Sequence, residues 1–174
     1  MNRRFAMFAL LVGAVAGAYA ASPMQTPSVV GTLAAVDRSV YQCEPADQAT
    51  QCRRQGNAAD LVAGEAVTEI VLLYRGDTLA RAVYVVHEAG FDALIGKLSA
   101  AFGPPMPGRE MLRAGMAGVF ENRYYIWRRG GQVWFAEQFF ERVTTSGLWH
   151  MDAAEFAALL AERDRARGQG ARDL

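Results

Sequence analysis

The stretch YYIWRRGGQVWFAEQFF, residues 124–140, places Trp127 and Trp134 symmetrically about Gly130-Gly131. Two strand-like runs around a Gly-Gly pair predict a two-residue hairpin, because glycine accepts positive φ at both central positions. The hairpin pairs Arg129 with Gln132, Arg128 with Val133, Trp127 with Trp134, Ile126 with Phe135 and Tyr125 with Ala136. Alternation along the strands then sorts the side chains onto two sides. One side carries Phe120, Ile126, Val133, Phe135 and Phe139; the other carries Val119, Tyr125, Trp127, Trp134 and Phe140. Both sides are apolar, so this sheet is either covered twice or presents an aromatic surface.

Working outward, EAVTEIVLLY (65–74) and LARAVYVVH (79–87) form a second hairpin around Arg75-Gly76-Asp77-Thr78. The Arg75-Gly76-Asp77 triplet reads as turn chemistry, not integrin recognition. In FDALIGKLSAAFGPP, Phe91, Leu94, Ile95, Leu98 and Phe102 make one apolar helical stripe, which Gly103 and Pro104-Pro105 terminate. This helix is expected to cover Ile126, Phe135 and Phe139. The Tyr125/Trp127/Trp134 side is left to the C-terminal helix, through Phe156, Leu159 and Leu160, to the N-terminal segment, or to a partner. TTSGLWHM (144–151) adds a further strand, and Asp152 with Glu155 gives a helix-capping pattern after it.

The remaining segments read as irregular. GTLAAVDRSVYQC suggests a short helix with Leu33, Val36 and Val40 on one face, or a strand over 29–36. Residues 43–57 look like a polar loop, and 106–118 like a long loop carrying Met106, Met111 and Met116. The expected fold is therefore α+β: an antiparallel sheet of about five strands, one main amphipathic helix on a face, and short N- and C-terminal helices. It spans 21–162 as one domain, with a flexible charged tail over 163–174.

Residues 1–20 have the pattern of a secretory leader: Arg3 and Arg4, an apolar run to Val15, then Ala18-Tyr19-Ala20 before the expected cleavage. The run is shorter than the ~20 residues of a membrane span. An exported chain meets an oxidising compartment, where Cys43 and Cys52 read as one local disulfide. Across the whole sequence 18 basic residues balance 18 acidic ones, and loss of Arg3 and Arg4 tips the remainder acidic. That balance argues against a nucleic-acid partner, which calls for a basic stripe.

The chain resembles small exported proteins of proteobacteria, many of them uncharacterised. The likeness covers about residues 40 to 150. It is carried by Cys43 and Cys52, Ala63-Gly64, the 65–87 hairpin, Phe91 through Gly103-Pro104, and Trp127 with Gly130-Gly131. A fainter likeness, to periplasmic lysozyme inhibitors, rests on the spaced Gly…Tyr…Trp…Gly pattern over 118–131 and implies inhibition of a secreted hydrolase. In that role the 106–116 loop would be the inhibitory element.

Motifs for hydrolysis (GxSxG, HExxH, SxxK) do not occur in the sequence. His87 at a strand end and His150 before the last helix are the candidates for a dispersed enzymatic site. The methionines five residues apart suit gap-filling better than a copper site. No cofactor and no metal ligand set is expected. The expected function is non-enzymatic binding in the periplasm or outside the cell, to an envelope protein, with Tyr125, Trp127 and Trp134 as the contact surface.

Overall fold

The computed structural model describes residues 26–113 and 118–170; the expected leader peptide, Met116 and residues 171–174 lie outside them. The described strands are β1 (Gln42–Ala46), β2 (Ala49–Gln55), β3 (Leu61–Val62), β4 (Glu65–Arg75), β5 (Thr78–His87), β6 (Met106–Arg113), β7 (Val119–Arg129), β8 (Gln132–Glu137) and β9 (Thr145–Asp152). Helix α1 (Phe91–Phe102) follows β5, and helix α2 (Ala153–Gly170) follows β9. Every pairing is antiparallel, in the order β1-β2-β4-β5-β9-β8-β7-β6, with β3 as a short flap on β4. This corrects the α+β expectation of about five strands: the fold is mainly β, with nine strands and two α-helices among the described residues.

Two of the unforeseen strands share a physical character. β1 and β6 are the two edges of the sheet, where both faces reach solvent and the apolar alternation that marks a strand fades. β1 and β2 occupy the segment read as a disulfide loop, and β6 occupies the segment read as a methionine loop. Cys43 and Cys52 are bonded, and they are direct cross-strand partners in the β1–β2 pair. The expected N-terminal helix is a single 3-10 turn, Leu33–Ala35; Val36 is buried but Val40 is exposed.

The central hairpin has the register that its sequence predicts, from Arg129↔Gln132 to Tyr125↔Ala136. Gly130 and Gly131 close it at φ 57° and 81°, a left-handed pair that side-chain-bearing residues adopt at a cost. Helix α1 carries the chain from β5, in the middle of the sheet, to β6 at the far edge. β6 to β9 then return strand by strand until β9 pairs with β5. Phe91, Leu94 and Leu98 of α1 are fully buried, each contributing about 1.5–3 kcal/mol. They pack on Ile70, Leu72, Tyr74, Ala82, Tyr84, Leu148, Ala136 and Trp127. Gly103, at φ 87°, ends the helix with its N–H on the Ser99 carbonyl.

Helix α2 covers the opposite face. Its Phe156 and Leu159 pack with Ile126, Val133, Phe135 and Met151. The assignment of faces is thus the reverse of the expected one: α1 shelters the tryptophans, and α2 shelters Ile126 and Phe135. Strand register says which residues share a side. It does not say which side a crossover helix takes, because that follows from the handedness of the connection. Nor does the helix stop at Arg163, where a tail was expected; it runs to Gly170. Asp152 Oδ1 accepts the Glu155 N–H at 2.7 Å as a cap. The Glu155 carboxylate faces the sheet instead, where it pairs with Arg75 at 3.0 Å and buried Arg81 at 2.5 Å.

The β4–β5 turn also holds the N-terminal segment. Asp77 accepts the Leu33 N–H on its carbonyl and the Ala34 N–H on its carboxylate. Among the described residues no helix is long and apolar enough to cross a membrane.

Candidate functional site

The three aromatic residues singled out from the sequence come together, but as a wall of the α1 core. Trp127 is only 3% exposed and its Nε1–H donates to the Gly103 carbonyl at 3.0 Å. Phe102 of α1 lies 6.5 Å from Trp127 and 5.7 Å from Trp134, while Phe91 lies 6.0 Å from Tyr125. Tyr125 and Trp134 are half-buried. Helix α1 thus roofs Trp127, while Tyr125 and Trp134 keep part of their surface beside it.

Neither histidine is hydrogen-bonded to a carboxylate among the described residues. The His150 ring stacks on Trp134, centroids 4.0 Å apart and planes 11° from parallel. Burial there holds its pKa below the ordinary histidine value. The Met106–Met116 loop that would have served a hydrolase inhibitor is, over 106–113, the edge strand β6.

Two clefts open on the α2 side of the sheet, on either side of one turn. The first, about 430 Å³, is lined by Leu112, Phe139, Trp149 and a polar cluster. There the buried Glu137 carboxylate accepts the Trp149 Nε1–H at 2.8 Å and Arg163 Nη2 at 2.7 Å. Arg163 also reaches Glu110 at 3.4 Å, and its guanidinium lies 4.9 Å above the Phe135 ring. Desolvation raises the Glu137 pKa despite the arginine. With its Arg163 partner supplied by α2, the cluster reads as a clamp on that helix.

The second cleft is larger, about 520 Å³, and polar. Its floor is β2, β4 and β5, with Arg53, Glu69, Val85 and His87; its wall is the segment from Phe140 to Thr145. That wall is fixed from within. Phe140 N–H donates to the Thr145 carbonyl at 2.8 Å, the Thr145 hydroxyl donates back to the Phe140 carbonyl, and Ser146 Oγ donates to Gln138 O at 2.6 Å. Gly147 lets Phe140 fold onto the sheet, since a Cβ there would sit 3.1 Å from Phe140. Between Phe140 and Arg142, Glu141 stands at φ 56°, left-handed without being glycine.

Arg53 spans the cleft. Its guanidinium meets Glu141 at 2.5 Å and Glu69 at 3.1 Å, and the Glu141 bond foremost raises its pKa. Sequence reasoning missed this arrangement. Its members come from positions 53, 69, 87 and 141–145, and nothing local in ERVTTSG marks a site.

Comparison with protein-family models, with curated proteins and with solved structures finds no match to this chain.

Proposed function

We propose that the protein is an exported, non-enzymatic binding protein of the cell envelope, and that it takes a small polar ligand in the cleft beneath the Phe140–Thr145 wall. The observation that carries the reading is Glu141. A left-handed residue with a side chain costs roughly 1–2 kcal/mol, and such strain persists where surrounding structure over-determines it, commonly at ligand clamps. Here the side chain reaches across the cleft to Arg53, so the strained residue shapes the opening. The volume falls within the range of small-molecule sites, about 300–1,000 Å³. Both carboxylates of the lining are spent on Arg53, an arrangement that holds a shape and leaves neither as a base beside His87. The Cys43–Cys52 bond fits an oxidising compartment.

The test is an amide NMR titration of the oxidised protein with the small-molecule fraction of an envelope extract. Saturable shifts at Arg53, His87 and Thr144–Ser146 are expected, with no conversion of the added compounds. Glu141→Gly should relieve strain while removing one side of the strut, leaving the thermal midpoint within a few degrees but altering the response, since the cleft loses a wall and Arg53 loses a partner. Shifts gathered on β6, or an unaltered response in Glu141→Gly, would overturn the reading.

A further inference from the structure

We infer that this cleft takes a small organic acid, a carboxylate or a phosphate ester, seated on Arg142 and His87. The inference rests on the binding reading above and assigns the ligand class. The Glu69 and Glu141 carboxylates share the one Arg53 guanidinium, and Arg142, the second arginine of the lining, balances the charge left over. Four other lining or bordering groups are in a different position. The side chains of Arg142, His87, Thr144 and Gln55 make no hydrogen bond, ion pair or ring contact among the described residues, yet all four lie at the cleft.

The unspent groups decide the sign of the ligand. The Arg142 guanidinium is donor-only and forked, matching the two oxygens of a carboxylate or phosphoryl group. Thr144 and Gln55 add neutral donors, and His87 adds an imidazole N–H. An entering anion therefore meets a cation with no partner. An entering cation would have to share Glu69 or Glu141 with Arg53, which already holds both. A volume of about 520 Å³ is more than one inorganic ion fills, which points to an acid carried on an organic body.

The experiment titrates the folded, oxidised protein separately with succinate, glycerol 3-phosphate, glycerol and putrescine, reading amide shifts by NMR. Saturable shifts at His87, Thr144 and Thr145 are expected with succinate or glycerol 3-phosphate, and whichever responds separates carboxylate from phosphate. Arg142→Gln, at an exposed position that leaves folding intact, should weaken that binding about tenfold. Arg109→Gln, at an exposed arginine on the far edge strand, should leave it unchanged. Shifts at the same residues with glycerol or putrescine but not with the acids would overturn the ligand class while sparing the cleft as the binding site. Shifts spread equally over exposed arginines would refute a specific acid site. Silence of the cleft toward every probe, together with silence toward the envelope fraction, would remove the site itself.

Discussion

Replacing Trp127 by alanine tests the reversed assignment of faces most directly. The ring is almost wholly buried, abuts Phe102, and binds the carbonyl of Gly103, the residue that ends α1. Removing a core aromatic costs about 3–5 kcal/mol. The lost hydrogen bond adds about 0.5–1.5 kcal/mol where water fails to replace it. For a chain of this size each kcal/mol lowers the midpoint by about 2–4 °C, so a fall of roughly 6–26 °C is expected by calorimetry of the oxidised protein. Trp134→Ala serves as the internal comparison. It is half-buried and is bounded by Phe102 and His150, so its loss should be clearly smaller. A fall below about 3 °C for Trp127→Ala, or a larger one for Trp134→Ala, would refute the placement of Trp127 beneath α1.

Other perturbations address the second helix, acid sensitivity and the disulfide. Glu155→Gln leaves buried Arg81 with only Glu162 opposite, and should cost about 3 kcal/mol in urea unfolding, the lower end for a broken buried pair. His150 has its pKa depressed by burial, so its stabilisation is present above the unfolded value of about 6.5 and is lost as pH falls through the folded one. His150→Gln should flatten that part of the stability profile. Glu137 acts with the opposite sign: its folded pKa is raised, and its contribution is lost as pH rises through that value, a trend that Glu137→Gln alone should remove. Reducing Cys43–Cys52 should lower stability by about 2.5–3 kcal/mol in the chain-entropy model, and Cys43→Ala/Cys52→Ala should reproduce the loss without reductant.

The parts of the fold legible in the sequence are those whose signal is local. The Gly130-Gly131 turn fixes the β7–β8 register, and the Phe91–Phe102 spacing fixes the α1 stripe. Cys43 and Cys52 announce their bond by separation and expected compartment. What escaped is non-local. QCEPA and MPGREMLR are edge strands whose side chains meet water on both faces, so no periodicity betrays them. Glu137 looks like a solvent-facing residue until Arg163, on a helix that reads as a charged tail, is folded against it. The polar cleft is less legible still. Its strut joins positions 53 and 141 across two halves of the sheet, and the left-handed Glu141 has none of the glycine or asparagine that usually signals such a backbone.

The Arg75-Gly76-Asp77 corner works as a shared cleat for both ends of the described chain. Asp77 moors the amides of Leu33 and Ala34, while Arg75 moors α2 through Glu155 and Glu162. One bend of three residues thus couples the leading segment to the trailing helix. A lesion there frees both extremities at once, and proteases attacking from either terminus would report on the same knot.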